Sequence, residues 1–150
     1  MEDLVALLLA AKARWPALGG VSAGAVASDY QRLRVESAAA RAGLASLAPL
    51  WRLPQRALLR RMLRRGVEAV LVKVACLGLS PARDLGMTLS EAEPRLLRLA
   101  DAHGVSCMGE GGEYESLVLD CPGLFARGRV VLEGLERPGG GDGTAGEAGL

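Results

Sequence analysis

Within the seven residues Gly109-Glu110-Gly111-Gly112-Glu113-Tyr114-Glu115 the chain gathers three carboxylates and three glycines. Glycine tolerates positive φ and lets the backbone pass close to a ligand, and Glu113 and Glu115 project from one side of an extended segment. The residues fit either a loop that presents its acids to a ligand or a solvated acidic turn. Ser116 to Leu119 reads as a short buried strand, and Asp120-Cys121-Pro122-Gly123 closes it with turn chemistry, which sets the acidic loop at a strand entrance. Upstream, Asp29, Tyr30, Gln31, Arg32 and Arg34 crowd a second junction. Lys73 interrupts a strongly apolar run. A charge in a central strand is costly unless it is paired or reaches a cleft; the alternative is an edge-facing lysine that snorkels. Cys76, His103 and Cys107 are soft ligands without a fourth, so no metal site is predicted from them.

Periodicity and punctuation define the elements that must position these residues. Asp3 to Arg14 carries Leu4, Leu7, Leu8 and Ala11 at helical spacing and stops at Pro16 and Gly19-Gly20. Val21 to Val26 has the small and β-branched residues of a parallel strand buried on both faces. Ser28 is the expected N-cap, with Gln31 placed to return the bond, of a helix that Gly43 ends. Strand, tight turn and helix are adjacent there, the junction at which open α/β sheets place ligands. Leu47 to Trp51 is expected as a second short strand. Pro54 opens a helix ending at Gly66; its outer face, Arg56, Arg60, Arg61, Arg64 and Arg65, together with Arg52, suits RNA or phosphate binding, but with so few aromatics it is read as solvated. Glu68 to Cys76 is the strongest strand of the chain. Ser90 and Glu93 are expected to form a capping box, a choice over Thr88 that keeps Pro94 in the first turn of a helix running to about His103-Gly104. Val105 to Met108 and Gly128 to Glu133 are the last expected strands, and residues 134–150, rich in Gly, Glu and Ala, are expected to be disordered. The alternation of strand and helix predicts an α/β fold with a mostly parallel, doubly wound sheet.

At 150 residues the chain is one domain or part of one. Half its residues are hydrophobic but only 3% are aromatic, which leaves few stacking platforms for bases, so direct nucleic-acid binding is not expected. A net charge of +1 conceals an asymmetry: residues 10–65 hold eleven Lys and Arg against Asp29 and Glu36, whereas residues 66–150 hold seven against thirteen acids. Two such halves would attract each other or line opposite sides of a cleft. Three cysteines without a Cys-x-x-Cys pair predict a reduced, cytoplasmic compartment. Met1 to Ala13 opens with Glu2 and Asp3 and has neither a basic leading region nor the length to span a bilayer, so no targeting or membrane segment is expected.

Three blocks, Gly24 to Glu36, Leu71 to Leu79 and Gly109 to Asp120, resemble the diphthine-ammonia ligase family in order and spacing, and the similarity spans about residues 1–133. The glutamate-glycine-glycine-glutamate-tyrosine-glutamate run followed by a strand and Asp120 is its most specific part. The resemblance implies an N-type ATP pyrophosphatase fold, Rossmann-like and of the HUP type, and a cytoplasmic ligase that completes diphthamide synthesis. There ATP activates the carboxylate of diphthine, a modified histidine on translation elongation factor 2, and ammonia displaces AMP to leave the amide. On the matching positions, Lys73, Arg32 and Arg34 would meet phosphates, while Glu110, Glu113 and Glu115 would hold Mg²⁺ or orient ammonia. Gly111 and Gly112 would let the backbone approach the cofactor. Tyr114 with Glu113 or Glu115, and Tyr30 with Asp29, would face the trimethylammonium group of diphthine.

The family's opening strand and Ser-Gly-Gly-Lys-Asp-Ser loop, which hold the ATP phosphates, have no counterpart in these residues. Gly19-Gly20 follow a helix and precede a strand, whereas a phosphate loop follows a strand and opens a helix. The chain is therefore expected to be the C-terminal portion of the ligase domain, with a sheet incomplete at its N-terminal side and an unpaired edge that favours self-association. Two other roles fit the same residues. One is a non-catalytic binding module or partner subunit derived from the family; the other is a different ATP pyrophosphatase-group enzyme that forms an amide or transfers a thiol.

Overall fold

A computed structural model describes residues 1–133. Helices and strands alternate in the order α1 (Glu2–Arg14), β1 (Gly20–Ser22), α2 (Asp29–Arg41), β2 (Ala45–Leu47), α3 (Gln55–Arg64), β3 (Glu68–Val74), α4 (Pro81–Asp84), α5 (Leu89–His103) and β4 (Tyr114–Asp120). They divide into two units, Met1–Gln55 and a second beginning at Arg56, each with its own core. The segment 134–150, expected to be disordered, lies outside the described residues.

Small residues build the first unit. Ala38 and Ala39 are fully buried on α2 and pack with Val5 and Leu8 of α1, joined by Ala42 and Leu44. Ser28 caps α2 as expected, its Oγ accepting the Gln31 amide at 3.2 Å, and Gly43 at φ 63° stops it. Lys12 reaches from α1 to donate to the carbonyls of Ala42 and Gly43 at 3.0 and 2.9 Å, placing a cation at the negative end of the α2 dipole. β1 and β2 run parallel, with Gly20 opposite Ala45 and Ser22 opposite Leu47, and α2 is the crossover between them. Both strands depart from their expected bounds. The run Val21 to Val26 contributes only its start to β1, and β2 precedes the expected Leu47 to Trp51, where residues 49–52 turn instead. The apolar run outlasts the ladder: beyond Ser22 the two segments are joined by the single bonds Ala23 N to Leu47 O and Arg52 N to Val26 O, each 2.8 Å.

In the second unit β3 pairs antiparallel with β4, Glu68 opposite Asp120 and Val74 opposite Tyr114. Part of the other β3 edge is met by residues 86–88, through Gly86 N to Leu71 O and Leu71 N to Met87 O at 2.9 Å and a bridge between Val70 and Thr88. Leu89, Ala92, Leu96 and Leu97 of α5 cover Ala69 and Leu71, with Leu59, Cys107 and Tyr114 completing the core. The α/β class is as expected, with a parallel strand pair in one unit, an antiparallel pair in the other and no closed sheet among the described residues.

Three local expectations are corrected. α5 is capped by Thr88, not Ser90: Thr88 Oγ1 accepts the Glu91 amide at 3.2 Å and Glu91 Oε2 accepts the Thr88 amide at 2.7 Å. The pairing of residues 86–88 with β3 holds Thr88 extended, so the helix starts immediately after it and Pro94 falls inside. Val105 to Met108 is not a strand, because Ser106 Oγ accepts the amides of Met108 and Glu110 at 3.2 and 3.1 Å and curls the segment into a turn. Gly128 to Glu133 forms no strand either, keeping a single ladder-like bond from Val130 N to Leu119 O at 2.8 Å.

Candidate functional site

The acidic loop enters β4 bent onto itself. Glu113 turns its carboxylate back onto backbone, Oε1 accepting the Ser106 amide at 2.7 Å and Oε2 the Gly111 amide at 2.8 Å. A Cβ on Gly111 would lie 2.8 Å from Glu113 Oε1, so this return depends on glycine there. Gly112 at φ 82° donates to Gly109 O at 3.0 Å. The amides of Gly111 and Gly112 are thus engaged within the loop, and a phosphate cradle needs amides aimed outward. Tyr114 is buried at 7% exposure and donates its hydroxyl to Cys107 O at 2.9 Å. Burial, with Cys107, Glu113 and Glu110 nearby, pushes the phenol well up, so it stays a donor. Its ring belongs to the core, not to a surface that a trimethylammonium could reach. Glu115 faces the other way and meets Lys73, its cross-strand neighbour, at 2.7 Å in an ion pair exposed on both sides. Lys73 therefore escapes burial by projecting from the ribbon into solvent. Glu110 is half-buried, its amide bonded to Ser106 Oγ.

No three His, Cys, Asp or Glu side chains come together as a metal-ligand set among the described residues. With Glu113 bound to amides and Glu115 to Lys73, the loop's carboxylates do not by themselves fit Mg²⁺. Burial pushes the Cys76 and Cys107 thiols up, Glu113 adding to the effect on both, so neither is poised as a thiolate.

In the first unit the carboxyl ends of β1 and β2 lead into residues 23–28 and 48–54, with α2 rising from the former. Arg32 is bracketed by Glu36 at 2.5 Å and Asp29 at 3.2 Å, bonds that raise its already high pKa, Asp29 first. Its guanidinium also lies 4.6 Å from the centre of the Trp51 ring. Arg34 lies 4.9 Å from the ring of Tyr30, donating to its hydroxyl at 2.7 Å. Tyr30 is 68% exposed, so its ring is open to solvent apart from that guanidinium, whereas Asp29 is already turned to Arg32. Asp29 with Arg32 and Tyr30 with Arg34 thus form two separate pairs on different sides of the first turns of α2, and Glu110, Glu113, Glu115, Tyr114 and Lys73 lie in the second unit.

Two groupings were not legible from the residues alone. Trp51 and Arg52 join Arg32 from a turn where a short strand was expected, and Arg52 has the one positive φ, 55°, of any described non-glycine residue. Asp84 is buried at 1% exposure in α4, accepting from the Ser80 amide at 2.6 Å and from Arg83 at 2.9 and 3.1 Å, with Arg95 at 3.4 Å. Both arginines also donate to Gly78 O. An acid in the first turn after Ser80-Pro81 is the signal that the sequence holds for it.

Compared with protein-family models, the chain matches none. Over 131 residues, 87% of this chain and 48% of the relative, it is 50% identical to the diphthine–ammonia ligase of Rattus norvegicus. Over 136 residues, 91% of the chain and 50% of the relative, it is 47% identical to that of Homo sapiens. The Schizosaccharomyces pombe ligase is 47% identical over 135 residues, which is 90% of the chain and 22% of that protein. The chain spans about half the length of the vertebrate relatives it matches.

Proposed function

We propose that this chain, a homologue of the diphthine–ammonia ligases over about half their length, forms part of an enzyme that amidates diphthine on translation elongation factor 2. It uses ATP and ammonia in the cytoplasm and releases AMP and pyrophosphate. The observation that carries this reading is the 50% identity over 131 residues, a length that takes in Gly24 to Glu36, Leu71 to Leu79 and Gly109 to Asp120 wherever it falls in a chain of 150.

Within that reaction Tyr30 and Arg34 suit the two charges of the substrate. The exposed ring suits a trimethylammonium, and the guanidinium, which has no carboxylate partner among the described residues, suits the carboxylate to be activated. Arg34 swings from ring to carboxylate as the cation takes its place. Arg32, fixed by Asp29 and Glu36, holds the Trp51 ring beside it. Glu110 and Glu115 attract the ammonium ion; Glu113 and Tyr114 act on them by fixing the loop, and Lys73 holds Glu115. Gly111 and Gly112 allow the tight course of that loop and the approach of the nucleotide. Mg²⁺ enters no step here. The test is mass spectrometry of elongation factor 2 from cells lacking the gene: accumulated diphthine is the expected result, and unchanged diphthamide defeats the reading.

A further inference from the structure

We infer that the Trp51–Arg52 turn is an anion-recognition element, in which Arg52 receives an oxyanion, phosphate or carboxylate, and Trp51 is the platform that aims it. The ligand's source rests on the ligase reading; the site rests on geometry of the first unit alone.

The turn follows β2 and is tied by Arg52 N to Val26 O at 2.8 Å to the segment that follows β1. It therefore sits outside the carboxyl ends of two adjacent parallel strands, where open α/β sheets take their ligands. The Trp51 ring carries two guanidinium groups, Arg32 at 4.6 Å and Arg52 at 5.5 Å. Asp29 and Glu36 neutralise Arg32, whereas no carboxylate pairs with Arg52 among the described residues, and its side chain is exposed. Two like charges on one indole with a single neutralised partner leave a local excess of positive charge. A bidentate oxyanion relieves it, and the planar guanidinium fork matches one.

The backbone supports the same reading. Arg52 occupies the left-handed region at φ 55°, a conformation that glycine or asparagine adopts at less cost than a long side chain. The fold needs the turn there, since the Arg52 amide satisfies the carbonyl of Val26, itself 3% exposed. It does not need the guanidinium. Strain kept under a charged side chain that the fold does not require points to the side chain's use on a ligand.

Trp15→Phe leaves Trp51 as the sole indole of the chain, which has two tryptophans. Its fluorescence is followed while inorganic phosphate or acetate is added, against sodium chloride at matched ionic strength. One of the two anions is expected to give a saturable change, and Arg52→Gln to weaken it by about tenfold or more. Arg52→Gly, which suits the backbone, should weaken it equally while melting no lower than its parent; Arg65→Gln should change nothing. Tighter phosphate assigns the site to the nucleotide, and tighter acetate to the carboxylate of diphthine. A change that chloride reproduces, or an Arg52→Gln or Arg52→Gly chain that titrates like its parent, overturns the inference. Diphthine that still accumulates on gene loss would leave the ligase reading standing after that failure; normal diphthamide with an intact Arg52 titration would remove the ligase and keep the site.

Discussion

Tyr114 puts its hydroxyl on the Cys107 carbonyl inside the core, so Tyr114→Phe leaves a buried acceptor without its donor. A loss of about 1–3 kcal/mol is expected in urea unfolding, with the fold retained. A variant as stable as its parent but weaker toward substrate would return the ring to the ligand side. For Asp84, burial pushes the carboxyl up, yet Arg83, the Ser80 amide and Arg95 together hold it below its usual value of 3.8. The folded pKa lies below the unfolded one, so the stabilisation is complete above the unfolded value and is lost as pH falls through the folded value. As pH falls below about 4 the parent should therefore lose stability more steeply than Asp84→Asn, while near neutrality the variant is the weaker. Parallel curves would refute the assignment. Residue types drew attention to Asp29 through Arg34 and to the acidic loop, and the i to i+4 contacts Arg32–Glu36 and Tyr30–Arg34 follow from helical spacing. The return of Glu113 onto Ser106, and the arrival of Trp51 beside Arg32, were not legible. Both are set by loop paths that periodicity does not encode.

Helices were the most legible elements, because stop and start residues act locally: Ser28, Gly43 and Gly104 each do what their chemistry predicts. Strand limits were not, since a ladder ends where its partner leaves, as at Ser22, and not where the apolar run ends. The α5 cap shows a tertiary contact overriding a local preference. With Thr88 as cap, Pro94 is the sixth helical residue, and the carbonyl of Ser90 lacks the amide four residues on. Pro94→Ala should stabilise the chain by about 1–3 kcal/mol in thermal or urea unfolding. A variant no more stable than its parent would argue against a helix interior at Pro94.

For the molecule as a whole, the α/β class followed from alternation, but strand partners did not. Which edge β4 takes depends on contacts about forty residues apart, as in the pair Lys73 and Glu115. The β3–β4 ribbon leaves Val72, Leu117 and Val118 exposed at 48%, 42% and 37%, and β1 has no second strand beside it among the described residues. Open edges and apolar ribbon faces favour association. Sedimentation equilibrium should show an average mass that rises with concentration, suppressed when Val72→Lys and Leu117→Lys are combined. A monomer across the whole range would argue against an adhesive ribbon.

The close fit between Gly111 and Glu113 bears on how inherited variants would be interpreted. Every missense change at Gly111 places a Cβ 2.8 Å from the Glu113 carboxylate, which must shift from its place on the amides of Ser106 and Gly111 to make room. An allele with Gly111→Arg or Gly111→Ala would displace the glutamate although the codon for Glu113 is intact, and a screen that counts only acidic residues would miss it.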